Sequence, residues 1–201
     1  MNIYDFDKTI YNGDSTADFI KFCAVRYKKT RVWALPTLKA FVLYVLGIYT
    51  KTQFKERMYG FLQRVPDVEA AVNEFWDGHE KNILEYYKRQ RRADDIIISA
   101  SPEFLLRPVC KRLGVERLIA SRVDGKTGKY TGENCWGEEK VRRLEEEYGI
   151  TSCGSFYSDS FSDAPLASIA ESAYIVRGNN LTPWDEFKRS KKRSSEKNKQ
   201  Q

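Results

Sequence analysis

Asn2-Ile3-Tyr4-Asp5-Phe6-Asp7-Lys8-Thr9, at the start of a 201-residue chain, reads as a short apolar strand that stops on carboxylates. Ile3, Tyr4 and Phe6 suit a pleated, covered surface. Asp5 and Asp7 stand two residues apart where the run ends, so both side chains can project to the same side of a strand terminus. Two carboxylates held that close repel each other and need a cation between or beside them.

Four further runs, 95–99, 118–122, 155–158 and 173–176, have the same β-branched and aromatic content. Asp95-Ile96-Ile97-Ile98-Ser99 is apolar on both faces, as a strand of a covered parallel sheet should be. Helical patterns alternate with these strands. The run 102–113 ends before Gly114 and 138–148 before Gly149, each glycine standing where a helix ends. The alternation predicts an α/β fold with a doubly wound, Rossmann-like parallel sheet. Ligands of such sheets bind outside the carboxyl ends of the strands, where Asp5-Phe6-Asp7, Ser99-Ala100-Ser101 and Asp159 all fall.

The stretch 15–91 shows helical periodicity and no strand signal. It divides at Pro36, around 47–52 and at Pro66-Asp67, which predicts four helices near 15–30, 36–47, 52–64 and 67–91. Inserted after the first strand, they form a small all-helical cap that lies over the carboxyl edge as a lid does. The expected organisation is a core of 1–14 and 92–184, a cap of 15–91 and a basic, disordered tail of 185–201. The glycine-rich segment 124–132 is a turn or small hairpin. Segment 33–49 is nearly as apolar as a membrane span, but Pro36 and Lys39 interrupt it, so a buried cap helix is expected and an interfacial helix is the second reading.

Composition narrows the chemistry. The four cysteines are scattered without a C-x-x-C pair and the chain has one histidine, His79, so the usual zinc site is excluded. The thiols are expected free and packed, and His79 is expected on a helix surface. A metal would have to sit on carboxylates, which favours a hard ion, Mg²⁺. The net charge of +6 resides entirely in 188–201, with seven basic residues and one acidic, while 1–187 hold 27 of each. No aromatics interleave with the tail's charges, so nucleic acid is not an expected partner; an anionic membrane surface touched by the tail and the cap helix remains open. The start carries no basic leader segment, so the expected location is cytoplasmic, with a membrane-peripheral placement also open.

With a cation present, one of the paired carboxylates can attack phosphorus while the other protonates the departing alkoxide and then activates water. Ser99, Ala100 and Ser101 could hold a phosphate with a hydroxyl and backbone N–H groups at the start of a helix. Lys140 opens the helix 138–148, where a cation could offset nucleophile and phosphate, and Asp159 and Asp163 add a second acidic arm suited to Mg²⁺.

DFDKT at 5–9, the strand ending at Ser99, Lys140 and the Asp159–Asp163 pair occur in order at the four motif positions of the haloacid dehalogenase-like hydrolases, which the chain resembles over about residues 1–177. The helical insertion stands in the place of the type C1 cap of the phosphoserine phosphatase-like subclass. The resemblance implies an aspartyl-phosphate on Asp5, Asp7 as general acid/base with Thr9 supporting the loop, and Ser99 and Lys140 on the phosphoryl group. It places Mg²⁺ on Asp5, Asp159 and the Asp7 backbone carbonyl, with Asp163 in support. Asp14 resembles the amine-binding acid of phosphoserine phosphatases, in a shorter form, and Arg57 is the cap's candidate for substrate binding. Tyr157-Ser158-Asp159-Ser160 and Trp136-Gly137-Glu138-Glu139-Lys140 look more like the branch that includes phosphatidylglycerophosphate phosphatases, which implies a lipid phosphate beside a small phosphate ester as substrate. A phosphomutase, a binding protein with an unused site, and a monomer or a homodimer all remain open.

Overall fold

The computed structural model describes residues 1–198, with side chains through Lys191. Strands β1 (Asn2–Tyr4), β2 (Ile96–Pro102), β3 (Arg117–Ser121), β4 (Cys153–Ser158), β5 (Ala170–Arg177) and β6 (Asn180–Pro183) form one sheet in the order β3-β2-β1-β4-β5-β6. The first five run parallel, and β6 turns back antiparallel on β5. Ile3 pairs with Ile96 on one side and Phe156 on the other, so β1 is central and its side chains are covered on both faces. From β1 the chain builds outward one way through β2 and β3, then the other way through β4 and β5. The carboxyl ends of β1 and β4 therefore meet at the switch point, the place where doubly wound sheets bind their ligands.

Alternation along the strands divides the core. Ile3, Ile96, Ile98, Ile119 and Phe156 bury against Leu144 and Leu166 of helices α7 (Glu138–Tyr148) and α8 (Ala164–Ser168). Tyr4, Ile97, Leu118 and Tyr157 face the other way. Their cluster is shared by α6 (Glu103–Arg112) and by helices that follow β1: α1 (Ser15–Arg26), α3 (Lys51–Tyr59), α4 (Val68–His79) and α5 (Glu85–Gln90). Helix α2 (Ala34–Val45) gives that cluster no side chain, and with Leu35, Leu38 and Val45 exposed it corrects the buried cap helix expected over 33–49. Trp76 of α4 stands edge-on to Phe6 at 5.9 Å and donates its indole N–H to Leu105 O at 2.7 Å, tying the inserted helices to the sheet layer.

Gly114 and Gly149 have φ of +68° and +66°, the left-handed turn that ends α6 and α7 as expected. The helical stretch differs in detail. Val65 is extended, as the residue before Pro66 must be, and the run 67–91 is broken at Ile83 and Leu84. There the backbone pairs with the first loop: Leu84 N–H donates to Ile10 O at 2.8 Å and Asn12 N–H to Asn82 O at 2.9 Å. A tertiary contact overrides helical periodicity at that point. His79 ends α4 and stacks on Phe75 at 4.1 Å. The four cysteines are buried and unpaired. No helix among the described residues is long and apolar enough to cross a membrane.

The disordered tail expected from residue 185 is corrected by α9 (Trp184–Asn198). Trp184 packs edge-on against Phe161 at 5.1 Å, Phe187 lies 5.6 Å from the same ring, and Arg177 covers Phe187. These two aromatics precede the hydrophobe-free run and anchor its first turn. Residues 199–201 of that expected tail lie outside the described residues.

Candidate active site

β1 delivers Asp5 to the switch point, and its N–H continues the ladder to Tyr157 O at 2.9 Å. The next residues turn sharply: the N–H groups of Thr9, Ile10 and Tyr11 all point at Phe6 O, and Lys8 takes a left-handed φ of +57°. That conformation is unfavourable for a residue with a Cβ and is held here by the surrounding bonds, including Lys8 N–H to Gly13 O. Thr9 secures the loop from both ends. Its hydroxyl accepts from Asp159 N–H at 2.9 Å, and its carbonyl accepts from Tyr86 Oη at 2.6 Å.

Lys140, in the first turn of α7, is 2% exposed, and its Nζ lies 2.8 Å from both Asp5 Oδ1 and Asp163 Oδ1. Asp163 is fixed in turn by Ser158 Oγ, which donates to its other oxygen at 2.7 Å. Burial alone would depress the lysine, but the two carboxylates outweigh it and hold the ammonium above its ordinary value. Two carboxylates share that one cation. Burial, opposed by Lys140 and reinforced by Asp163 and Asp7, pushes Asp5 up to about 7. The centre thus carries an excess of negative charge.

Asp7 turns its carboxylate away from this pair. Oδ1 accepts from Ser15 N–H at the start of α1 (2.6 Å) and Oδ2 from Ser101 Oγ (2.5 Å). Burial first, then the nearby Asp14, raises it above the usual carboxylate range, which suits a group that must carry a proton. Ser99, 1% exposed, accepts from Ser101 N–H at 3.1 Å and so shapes the loop 99–101. The Ala100 carbonyl points sideways to Ser121 Oγ and Lys55 Nζ. Asp159 is half-buried and also raised, by burial against the opposing pull of Lys8 and Arg177.

Among the described residues no three His, Cys, Asp or Glu side chains gather as a metal-binding group. With the Asp7 side chain held by Ser15 and Ser101, its contribution to a cation would come from its main-chain carbonyl. Asp5 and Asp159 would supply the carboxylates. That all-oxygen set, beside a buried excess of negative charge, fits a hard divalent ion.

Two expected substrate contacts are exposed rather than buried in the site, although Asp14 lies near enough to Asp7 to raise it. Asp14 is exposed and caps α1, accepting from Ala17 N–H at 2.9 Å. Arg57 is exposed, about 200° around α3 from Lys55 and so on its far side. Its carbonyl accepts from Trp33 Nε1 at 2.6 Å. Lys55 takes the inward position instead, with Lys51 and Tyr59 above and below it on the same stripe. Their spacing of four residues was the available signal.

A family model of the haloacid dehalogenase-like hydrolases matches residues 3–168. A probable phosphatase of Mycobacterium tuberculosis is similar, with 28% identity over 195 residues, covering 86% of this chain and 67% of that one. In fold, the chain is similar to a Bordetella pertussis protein of unknown function (TM-score 0.66, 23% identity, 84% and 85% of the two chains). It is also similar to a phosphoserine phosphohydrolase-like protein from Francisella tularensis (TM-score 0.53, 15% identity, 86% and 84%).

Proposed function

The chain belongs to the haloacid dehalogenase-like hydrolases, and from that premise we propose that it is a Mg²⁺-dependent phosphomonoesterase working through an aspartyl-phosphate on Asp5. The observation that carries this reading is the buried Asp5–Lys140–Asp163 triad beside an Asp7 held above the usual carboxylate range. Lys140 occupies Asp5 Oδ1, which leaves Oδ2 to form the bond to phosphorus as the ester P–O bond breaks. Asp7 gives its proton to the departing alkoxide. It then takes one from water, whose oxygen attacks phosphorus and releases Asp5 and phosphate. The Ser99 hydroxyl, which accepts from Ser101 N–H and keeps its own proton to donate, orients a phosphoryl oxygen. The bound Mg²⁺ would neutralise charge on the phosphoryl group and on Asp5. The test is a phosphate-release screen with Mg²⁺ across amino-acid, sugar, nucleotide and lipid phosphates. Release from none of them would leave a phosphate-binding protein with an unused site, and phosphate moved within one substrate would make it a mutase.

The raised Asp5 gives a metal-dependent signature. A carboxylate with a folded pKa of about 7 against about 4 unfolded binds more protons when folded, so its contribution to stability is lost as pH rises through 7. Metal-free protein is therefore expected to melt lower at about pH 8 than at about pH 5.5, with Mg²⁺ recovering the difference. A melting temperature that Mg²⁺ leaves unmoved would count against the cation.

A second reading concerns where the enzyme works. Leu35, Leu38, Phe41 and Val45 on α2 are between 48% and 76% exposed. From Tyr27 to Thr50 the chain has four basic residues and no acidic one. An apolar helix face rimmed by cations fits an anionic bilayer surface, as a lipid-phosphate substrate would require. Sedimentation with phosphatidylglycerol vesicles should carry the protein down, and Leu38→Glu with Phe41→Glu should cut that binding about tenfold or more. Equal behaviour on neutral vesicles, or self-association through this face without vesicle binding, would overturn the reading.

A further inference from the structure

α3 presents one polar stripe to the acidic cluster. Lys51, Lys55 and Tyr59 follow one another at four-residue intervals and so share a helix face. Lys55 Nζ donates to the Ala100 carbonyl and to Asn134 Oδ1, 2.9 Å each, which places its ammonium against the phosphate-holding loop with one donor left over. Lys51 rests over the Trp136 ring at 4.4 Å and feels both Lys140 and Asp163. Beneath them Tyr59 is 2% exposed, its hydroxyl buried beside those of Thr16 and Tyr130.

These cations are not consumed by their neighbours. Burial pushes Lys55 down to about 8, and the next-largest influence is repulsion by Lys51, ahead of the attraction of either Asp7 or Asp14. Burial and Lys140 likewise depress Lys51. Lys140, saturated by two carboxylates, moves the opposite way. Two lysines held together beside the loop 99–101, with a surplus of positive potential, are arranged for an anion they do not have in the protein itself.

We propose that the Lys51–Lys55–Tyr59 face is a second anion subsite, a short distance from the phosphoryl position. It takes a carboxylate or a second phosphate carried on the alcohol part of the ester. The substrate class narrows accordingly, on the hydrolase reading above, to phosphomonoesters with two anionic groups.

The test uses the full chain with Mg²⁺ on three esters: glycerol phosphate, phosphoglycerate and glycerol bisphosphate. The doubly anionic esters should be preferred by about tenfold or more in kcat/KM, mostly through KM. Preference for phosphoglycerate alone assigns the subsite to a carboxylate, and preference for the bisphosphate to a phosphate. Lys51→Met, and Lys51→Met with Lys55→Met, should bring the ratio toward one, while Lys51→Arg keeps it. Lys51 is half-exposed, so its single variant serves even if Lys55→Met fails to fold. A wild-type protein that cleaves all three alike, or variants that slow all three equally, would overturn the subsite and leave the hydrolase reading intact. Cleavage of no phosphomonoester would sink both.

Discussion

Asp5→Asn is expected to abolish phosphate release from every ester the wild-type protein cleaves, by about 10³-fold or more, without unfolding the protein. The amide has the shape of the carboxylate but no electron pair basic enough to attack phosphorus, so the loss should fall on kcat. Folding should survive because the charge being removed is the strained member of the site. Burial already pushes Asp5 up to about 7, and Lys140 keeps Asp163 as its partner. The variant is therefore expected to melt within a few degrees of the wild type and to lose the metal-free fall in stability between about pH 5.5 and 8. Undiminished phosphate release would remove Asp5 from the mechanism.

Lys140→Met is expected to act on stability as well as catalysis. Lys140 is buried with its charge shared between Asp5 and Asp163, so its loss strands two carboxylates away from water. Breaking a buried ion pair from one side costs about 3–5 kcal/mol, roughly 10 °C in melting temperature for a chain of this size. The pH dependence has a definite sign. Without the lysine the buried Asp5 loses the cation that opposes its rise, so the variant folds best where Asp5 is protonated, and its deficit against wild type should shrink as pH falls from about 8 to about 5. A variant that matches wild-type melting at about pH 8 would show that the triad does not hold the carboxyl edge together.

Much of the candidate site was legible because its residues sit where local rules already act. The Asp5/Asp7 spacing follows from strand periodicity, Ser99 closes the Ile96–Ile98 run, and Gly114 and Gly149 mark helix ends by their left-handed φ. What escaped depends on packing between distant segments. β6 has little hydrophobic pattern of its own and exists because β5 offers Val176 and Ile175 as ladder partners. The helical pattern of 67–91 yields at Leu84 to a backbone bond with Ile10, and α9 forms where Trp184 and Phe187 find Phe161. Arg57 and Lys55 are both basic residues of one helix; which of them points inward is a matter of helix phase against the sheet edge.

From residue order alone followed the α/β class, the insertion after the first strand and the identity of the acidic pair, because periodicity, breakers and charge act between near neighbours. The tertiary structure alone decided that Lys140 sits between Asp5 and Asp163, that Asp7 faces Ser15 and Ser101, and that Lys51, Lys55 and Tyr59 look down on them. Those facts depend on burial and on distances between residues as many as 135 positions apart, where an unmatched charge is costly and only the folded chain determines its partner.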